Sequence, residues 1–434
     1  MSGAALRQTD EALRGSTLPA SAGLRKNEVT AAIRRLDLTD FRNYRALRLE
    51  VGPAPVVLTG ANGAGKTNLL EALSFLAPGR GLRRAALSEV ARTSGGAVAA
   101  GWAVAARVDT RNGQIALGSG VENPAADARR SRRSVRIDGA PARGQAALAE
   151  HVSIIWLTPE MDRLFQDGAS GRRRFIDRMV FGFDPEHANR LVAYEQALRG
   201  RQRLLRDHVA DPAWLAVLEE TMAASGVALA AARRDAVARL DAALKNGDAA
   251  AALPFPRAGL ELTGELDDWL GEGPALDAED RLRAALAAAR TRDGSAGRTE
   301  HGPHRSDLRV GHLDKNMPAA RCSTGEQKAL LIAIVLAHAQ LLTLDRGATP
   351  VLLLDEVAAH LDEGRRTALA ARILDLGAQA WVTGTDDSLF AGFRGAAQFL
   401  RVAEATISPV ASTTASPSDG KLTNHLIPMG NRAR

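Results

Sequence analysis

Two short motifs, separated by about 250 residues, constrain this chain more than any other feature. The first is the glycine-rich segment Gly60 to Thr67, with the sequence GANGAGKT. The second is a block that holds Ser323 to Gln327 and then the apolar run Val351 to Leu354, which ends in two acids. A glycine loop between a strand and a helix binds phosphates, and in open α/β sheets ligands lie at the carboxyl ends of the strands. The pair therefore predicts an α/β nucleotide site split by a long insertion.

The apolar strand Val56 to Leu58 and an expected helix over Asn68 to Leu76 place the glycine segment in the context of a phosphate-binding loop (P-loop). Glycines let backbone N–H groups close around phosphates at the positive end of the following helix. Lys66 is expected to contact the β- and γ-phosphates of ATP, and the Thr67 hydroxyl to ligate Mg²⁺. The ATP-binding residues predicted here are Gly60, Ala61, Asn62, Gly63, Ala64, Gly65, Lys66 and Thr67.

The acids that follow Leu354 supply the other half of the chemistry. A strand of a parallel sheet is buried on both faces, so an unbroken apolar run fits Val351 to Leu354. Asp355 is expected to hold Mg²⁺, directly or through water, and Glu356 to orient and polarise the attacking water. Two adjacent acids at a strand end are costly without a cation, which favours this interpretation over a simple turn.

The segment Ser323-Thr324-Gly325-Glu326-Gln327 opens a helix, because Ser and Thr cap it and Glu lies in its first turn. The segment lies about 28 residues before Asp355 and resembles the signature loop of ATP-binding-cassette (ABC) ATPases. Ala359 to Asp362 resembles the D-loop of the same ATPases. The resemblance implies that Ser323, Gly325 and Gln327 bind ATP held by the P-loop of a second subunit. ATP would then drive homodimerisation. Thr385 occupies the place of the usual switch histidine, and the strand Ser153 to Leu157 lacks an obvious Q-loop glutamine after it.

Flanking segments narrow the family. These segments are Asp40 to Tyr44, Asn68 to Ala72, Arg172 to Asp177 and Gly302 to Asp307. Together with the P-loop and the signature, they resemble the RecF family of bacterial recombination-repair proteins over roughly residues 30–405. Membership implies a weak DNA-dependent ATPase of gap repair and replication restart. It would dimerise on ATP, bind gapped or junction duplex and single-stranded DNA with RecR, and assist RecA loading and SOS induction.

The expected fold is an ABC-type ATPase head built from both chain ends, with an inserted, mainly helical lobe of short antiparallel helices and no long coiled coil. Helical patterns run from Arg172 to about Lys245, broken at Asp211-Pro212, and a β-rich subdomain is expected between Ala97 and Asp138. The predicted parts are a disordered extension (1–28), an N-terminal ATPase half (29–171), the helical lobe (172–297), a C-terminal ATPase half (298–407) and a disordered tail (408–434).

Charge gives a weaker indication of the partner. The net charge is +6, mostly from arginine, which favours a polyanion. Two arginine clusters are candidates for phosphate contacts, and each could equally be a solvated face. The first cluster is Arg129, Arg130, Arg132, Arg133 and Arg136, and the second is Arg199, Arg201, Arg203 and Arg206. The aromatic fraction of 4% argues against base stacking on single strands.

The remaining features point to a cytoplasmic protein that does not contact membranes. Cys322 is the only cysteine, which excludes an internal disulfide framework, and we expect a buried thiol. The longest apolar stretch, Ala329 to Ala337, is predicted to be a core helix, and the N-terminus lacks the apolar segment of a signal peptide. Three alternatives stay open: an ATPase subunit of a membrane transporter, a different ATPase related to structural-maintenance (SMC) proteins, and a scaffold with structural ATP.

Overall fold

A computed structural model describes residues 29–122, 132–207, 211–246 and 255–410. The predicted extension 1–28 and residues 411–434 of the predicted tail lie outside this range, as do Arg129 and Arg130. The strands are β1 (Val29–Thr30), β2 (Ala32–Phe41), β3 (Tyr44–Glu50), β4 (Val56–Thr59), β5 (Thr93–Ser94), β6 (Ala97–Val98), β7 (Gly101–Thr110), β8 (Gly113–Glu122), β9 (Ser134–Ile137), β10 (Ala140–Pro141), β11 (Ile154–Leu157), β12 (Ala258–Thr263), β13 (Asp307–His312), β14 (Met317–Pro318), β15 (Ala348–Thr349), β16 (Val351–Leu354), β17 (Ala380–Gly384), β18 (Gln398–Ala403) and β19 (Thr406–Pro409).

The α-helices are α1 (Lys66–Ser74), α2 (Leu87–Val90), α3 (Ala169–Phe183), α4 (His187–Arg206), α5 (Pro212–Asn246), α6 (Glu265–Glu272), α7 (Ala275–Ala288), α8 (Arg290–Ala296), α9 (Thr324–Arg346) and α10 (Glu363–Asp375). Short 3-10 helices cover Gln145–Glu150, Pro159–Arg163, Pro303–Arg305, Ala319–Arg321 and Asp387–Phe393.

A six-stranded sheet in the order β11-β16-β17-β4-β18-β19 forms the centre of the fold. Its first five strands are parallel, and β19 returns antiparallel to β18. The P-loop strand β4 lies between β17 and β18, which belong to the other end of the chain. The sheet cannot form from either chain end alone, which confirms the prediction of an ATPase head assembled from both ends.

The central strands are buried on both faces, which explains their unbroken apolar sequence. Side chains of β16 alternate between two cores: Leu352 and Leu354 pack with helix α9 on one side. Val351 and Leu353 pack with α1 and a second sheet on the other side. The predicted strand over Val351 to Leu354 is therefore confirmed residue for residue.

The second sheet is antiparallel, in the order β10-β9-β8-β7-β2-β3, and covers the α1 side of the parallel sheet. In β7, alternate residues from Trp102 to Val108 are buried, the pattern of a sheet with one face on a core and one toward solvent. The predicted β-rich subdomain is present here.

The inserted region is mainly helical, and α4 and α5 pack as an antiparallel pair. Arg201 of α4 contacts Glu219 near the start of α5. Tyr194, earlier in α4, lies beside Gly226, later in α5. The longest helix, α5, has 35 residues, so at 1.5 Å per residue it spans only about 50 Å. This agrees with the expected short lobe. The predicted domain boundaries themselves stay predictions.

Three sequence expectations need correction. The first predicted helix from Arg172 is two helices, because Asp184-Pro185 breaks it in the way that Asp211-Pro212 does: the residue before a proline avoids helical backbone angles. The two glycines of Asp293 to Gly297, at the end of the predicted lobe, favour a link between the lobe and the ATPase half, but the segment is mostly helix α8, and Gly297, at φ 64°, ends it. Ser408 and Pro409, assigned to the disordered tail, pair with β18 in strand β19.

Two helices are long and apolar enough to cross a bilayer by length and composition alone: Pro212–Lys245 and Thr324–Arg346. Thr324–Arg346 contains the apolar stretch Ala329 to Ala337, which the sequence predicts to be a core helix. In Thr324–Arg346, 78% of the qualifying window is buried inside the protein, which is typical of a core helix of a soluble protein. The corresponding window of Pro212–Lys245 is 44% buried.

Candidate nucleotide site

The P-loop leaves β4 and enters α1 with its lysine folded back on the loop itself. Lys66 Nζ donates to the carbonyl oxygens of Gly60, at 2.7 Å, and Ala61, at 2.9 Å. Lys66 is buried, and this burial lowers its pKa, while Glu356 and then Asp355 oppose the shift electrostatically. The lysine charge therefore faces both acids that sequence analysis assigned to the site.

Two P-loop glycines are required by their backbone and their neighbours. Gly60 has φ 148°, and a β-carbon there would stand 2.1 Å from the carbonyl oxygen of Val402 in β18. Gly65 has φ 117°, and a β-carbon there would come within 2.7 Å of the Tyr44 hydroxyl. Any other residue at these positions would push the loop away from the strands that hold it.

The segment Asp40 to Tyr44, which sequence analysis used only as a family marker, is the turn that braces the P-loop. The Tyr44 hydroxyl donates to the Gly65 carbonyl oxygen at 3.1 Å. Asn43 Nδ2 donates to the Ala64 carbonyl oxygen at 3.3 Å, and Asn43 Oδ1 accepts from Asn68 Nδ2 at 2.7 Å. Arg42 forms a two-point ion pair with Glu71 of α1 at 2.6 and 2.8 Å. The turn thus fixes both the end of the loop and the helix behind it.

Asp355 lies directly beside the P-loop. Its Oδ1 accepts from the Thr67 hydroxyl at 3.0 Å and from the Thr383 hydroxyl at 2.7 Å. Burial raises the pKa of this carboxyl, and the nearby charge of Glu356 adds to that. A buried carboxylate next to a threonine hydroxyl is a donor set that suits Mg²⁺, which prefers oxygen ligands and takes the rest from phosphates and water. The residues present fit the ion that the sequence predicts.

Glu356 follows in a left-handed backbone conformation, with φ 48°. Such angles are uncommon for a residue with a side chain, and they cluster at functional sites. Two contacts hold the turn: the Glu356 amide donates to the Thr383 hydroxyl at 2.8 Å, and Lys328 Nζ donates to the Glu356 carbonyl oxygen at 3.2 Å. Lys328 also pairs with Asp162 at 3.4 Å.

Thr383 is the site residue that sequence reasoning missed. ABC ATPases carry a switch histidine two residues later, at the position of Thr385, and that pattern does not single out Thr383. Thr383 lies at the end of β17, next to β16, and its hydroxyl joins Asp355 to the amide of Glu356. Its position at the carboxyl end of a buried central strand was the available signal.

The signature segment forms the N-terminus of α9 with a capping box. Ser323 Oγ accepts from the Glu326 amide at 3.4 Å, and the Ser323 amide donates to the Glu326 carboxylate at 3.0 Å. Lys315 pairs with the same carboxylate, and together with Ser323 it lowers the pKa of Glu326 to about 2. Glu326 is therefore a charged cap of helix α9.

The three predicted signature ligands differ in exposure. Ser323 is exposed, and Gly325 lies near the D-loop, where a β-carbon on it would be 3.8 Å from the His360 carbonyl oxygen. Gln327 is buried, and its amide donates to the Cys322 carbonyl oxygen at 2.8 Å. Gln327 therefore fixes the loop from inside. Cys322 is buried, as expected.

Within the described part of the chain, no hydrogen bond or ion pair joins Ser323, Gly325 or Gln327 to the P-loop of the same chain. The P-loop, Asp355 and Glu356 form one group, and the signature segment lies apart from it. The contact that does connect them runs through Lys328, one turn into α9, to the backbone of Glu356.

Two further family segments, distant in sequence, bind each other. Arg172 forms a two-point ion pair with Asp307 at 2.7 and 2.9 Å. Arg173 donates to the Ser306 carbonyl oxygen at 2.7 Å, and Arg233 joins Asp177 to the Pro303 carbonyl oxygen. These contacts fasten the helical lobe to the C-terminal ATPase half, so both segments have a structural role.

The two arginine clusters divide by burial. Arg201 is fully buried and bonds to Glu219, Asp293 and Thr299. Arg133 donates to the carbonyl oxygens of Gly79 and Ala77, and burial lowers its pKa to about 9. Neither side chain is available to a phosphate. The other described members are exposed, and they are Arg132, Arg136, Arg199, Arg203 and Arg206.

Comparisons with known proteins agree on the family. A family model described as "RecF/RecN/SMC N terminal domain" matches residues 32–407. The chain is 50% identical over 377 residues to a protein of Mesorhizobium japonicum named DNA replication and repair protein RecF, covering 87% of this chain and 97% of that protein. A protein of the same name from Agrobacterium fabrum is also 50% identical and is covered to 98%.

A solved structure gives the same fold. A structure of the recombination mediator protein RecF with ATP, described as part of the RecFOR pathway, superposes with a TM-score of 0.75. It covers 89% of this chain and all of its own length at 20% sequence identity. This likeness confirms the predicted arrangement of an ABC-type ATPase head with an inserted helical lobe.

Proposed function

This chain belongs to the RecF family, and we propose that it is an ATP-binding DNA-repair protein of the RecFOR pathway whose two nucleotide half-sites meet only in a dimer. The observation that carries the proposal is the contact of Thr67 with Asp355, which unites motifs 288 residues apart. A glycine loop and a buried acid at the end of the neighbouring strand are the two parts that ATPases of this kind need.

In the proposed site, the backbone N–H groups of Gly63 to Thr67 surround the phosphates of ATP. Lys66 would exchange the carbonyl oxygens of Gly60 and Ala61 for phosphate oxygens, which keeps its buried charge paired. Thr67 and Asp355 would hold Mg²⁺, which supplies charge neutralisation to the phosphates. Their existing hydrogen bond supports this, because both oxygens already point to one place.

Glu356 is the proposed base. Its carboxylate would accept a proton from the attacking water as the new bond to the γ-phosphorus forms and the bond to the bridging oxygen of ADP breaks. Its strained turn, held by Thr383 and Lys328, would keep the carboxylate in position. Hydrolysis is proposed to be weak, stimulated by DNA and coupled to release of the dimer and of DNA.

The signature segment would complete the site of a second copy of the chain. Ser323, Gly325 and the amides at the start of α9 would suit an anion once the Ser323 hydroxyl, which donates to the Glu326 carboxylate at 3.0 Å, turns away from it. In the described residues these groups do not contact their own P-loop. Ser323 and Gly325 would contact the γ-phosphate of the partner's ATP, and Gln327 would hold the loop in shape from within. ATP would therefore drive head-to-head homodimerisation.

The biological role follows the family. The proposed DNA is a gapped or junction duplex with adjoining single strand, and the proposed protein partners are RecR and, functionally, RecA in recombinational gap repair and replication restart. Assistance to RecA loading, SOS induction and a cytoplasmic location complete the proposal. They are supported by the family and by the basic net charge of +6.

The test compares wild type with Lys66→Ala in sedimentation and in binding to gapped and blunt duplex DNA, with and without ATP. We expect ATP to double the mass of wild type and to strengthen its binding to the gapped duplex. We expect ATP to have neither effect on Lys66→Ala. Lys245→Ala, which removes a partly exposed lysine paired with Asp241, is the matched control. If ATP doubles the mass of Lys66→Ala as it doubles that of wild type, the P-loop assignment is refuted.

The same samples separate the alternatives. A transporter subunit would sediment with membrane vesicles and not with DNA. A scaffold with structural ATP would bind nucleotide without releasing phosphate.

A further inference from the structure

Three arginines without a direct ion-pair partner in the described residues lie at the joint between the ATPase head and the helical lobe. Arg80 and Arg84 lie in the loop between α1 and α2, and Arg174 lies on α3. All three side chains are exposed, and within the described ranges none forms an ion pair or a hydrogen bond. We call these three residues the arginine strip. Sequence analysis had selected other arginines, because these three are distant in sequence.

The loop is held firmly against its neighbours. Arg133 donates to the carbonyl oxygens of Ala77, at 3.1 Å, and Gly79, at 2.7 Å. Arg83 donates to Asn68 of α1 at 2.7 Å. The Leu82 amide donates to the Ser74 hydroxyl at 2.7 Å, and the Ala86 amide donates to the Glu89 carboxylate at 3.0 Å. Backbone contacts therefore hold the loop on both sides of Arg80 and Arg84.

The loop also reaches α3. Ala77 and Pro78 share the wall of a small cavity with Arg178, one turn along α3 from Arg174. Arg178 stacks over the Trp156 ring, 4.6 Å from its centroid, and has no carboxylate partner in the described residues. Burial, and then the charges of Arg174 and Arg80, lower the pKa of Arg84. Burial, and then the charge of Arg84, lower the pKa of Arg178.

One carboxylate, that of Glu195, opposes this positive charge at Arg84. Like charges that lie close together without counter-charges raise the free energy of the folded protein, and a bound anionic ligand lowers it again. The strip joins two elements from separate parts of the chain, so the arrangement depends on the folded head and lobe together.

We propose that the arginine strip is a contact surface for the phosphate backbone of double-stranded DNA, at the joint between the ATPase head and the helical lobe. This rests on the proposed function, which supplies DNA as the partner, and adds where DNA binds and in which form. Arginine side chains without base-reading neighbours suit phosphates, which position a protein on a duplex without reading its sequence.

The form of DNA follows from what the surface lacks. Single-strand binding sites stack bases on exposed aromatic rings. Among the described residues the one largely exposed aromatic is Trp214, at the start of α5. Helix α5 meets α3, the helix of Arg174, at Arg233, which pairs with Asp177. Trp214 lies 19 residues before Arg233 on α5, or about 28 Å away at 1.5 Å per residue. The strip therefore offers charge and no stacking surface.

The experiment measures the salt dependence of DNA binding by the full chain with ATP. The variant Arg80→Gln/Arg84→Gln/Arg174→Gln is compared with wild type on a blunt duplex and on a single strand of thymidines. Each lost phosphate contact lowers the slope of log affinity against log salt by about 0.9, so we expect a drop of about 2.7 on the duplex. Between about 50 and about 200 mM salt, wild type would then lose about 40-fold more affinity than the variant.

Two further variants distinguish the strip from net charge and from folding. Arg281→Gln/Arg292→Gln/Arg309→Gln removes the same charge from exposed arginines elsewhere, and we expect it to keep nearly the wild-type slope. Arg80→Lys/Arg84→Lys/Arg174→Lys keeps the charge and should keep the slope.

Four results would overturn the assignment. These are an unchanged slope in the glutamine variant, an equal drop in the control, a drop in the lysine variant, or a loss confined to the single strand. If wild type binds DNA and only the assignment of the strip fails, the proposed function stands. If wild type binds no DNA at all, both fail.

Discussion

The hydroxyl of Thr67 donates a hydrogen bond to Oδ1 of Asp355, 3.0 Å away, across 288 residues of chain. The same oxygen accepts from Thr383, so one buried carboxylate joins the P-loop to two strands of the central sheet. The P-loop therefore gains this carboxylate partner only when the C-terminal half has folded beside the N-terminal half.

The signature segment has the opposite relation to the P-loop. It lies in the same chain, at the start of helix α9, yet its predicted ligands have no hydrogen bond or ion pair with the P-loop in the part of the chain that the structure describes. In the described residues, the hydrogen bond that links the signature helix to Glu356 is that of Lys328 Nζ with the Glu356 carbonyl oxygen.

Replacing the proposed base should separate ATP binding from hydrolysis. Glu356→Gln keeps the shape and the backbone contacts of the turn but cannot accept a proton. We expect phosphate release to fall by about 100-fold or more, while ATP-dependent dimers accumulate. Glu363→Gln, an exposed acid at the start of α10, is the control and should hydrolyse normally. Normal turnover in Glu356→Gln would remove Glu356 from the chemistry.

Arg201 should be a residue of stability and not of DNA binding. It is fully buried between Glu219 and Asp293, and Arg201→Met leaves both carboxylates without this partner. Breaking a buried pair in this way costs about 3–5 kcal/mol, measured as the free energy of unfolding in urea. Arg199→Met, in an exposed pair with Glu195, should change it by less than about 0.5 kcal/mol. Equal effects of the two changes would contradict the buried network.

His338 should make the protein less stable as the pH falls. Burial lowers its pKa to about 3, with smaller effects of Arg178 and Arg239. Between its unfolded value of about 6.5 and this folded value, the unfolded chain binds a proton that the folded chain does not, so stability is lost as pH falls. From pH 7.5 to pH 5.5 this amounts to about 1.4 kcal/mol.

The comparison is His338→Gln, whose amide can still donate to the Met179 carbonyl oxygen that His338 contacts at 3.0 Å. Urea unfolding at the two pH values should show a smaller pH effect in the variant by about that amount. If the two proteins lose stability equally, His338 is not buried as a neutral side chain.

Much of the site was predictable from sequence because it depends on local rules. The P-loop glycines, the buried strand before Asp355 and the capping box at Ser323 each require particular residues at fixed spacing. The central strands were predictable for the same reason, since burial on both faces leaves an unbroken apolar run.

The contacts between distant segments were not predictable. Nothing local pairs Arg172 with Asp307 or brings Arg84 beside Arg174, because these meetings depend on how the sheet orders its strands. Arg201 and Arg199 also look alike in sequence, yet one is buried in an ion-pair network and the other is exposed. The break at Asp184-Pro185 did have a local signal, and it was missed.

The central claim, that each nucleotide site needs two chains, is tested most directly by mixing two inactive variants. Lys66→Ala removes the P-loop lysine, and Ser323→Arg blocks the signature while leaving the P-loop of its own chain intact. In a mixed dimer, the intact P-loop of the Ser323→Arg chain meets the intact signature of the Lys66→Ala chain. We predict that neither variant alone dimerises or releases phosphate with ATP, and that the mixture regains both. A mixture as inactive as its components would contradict the account.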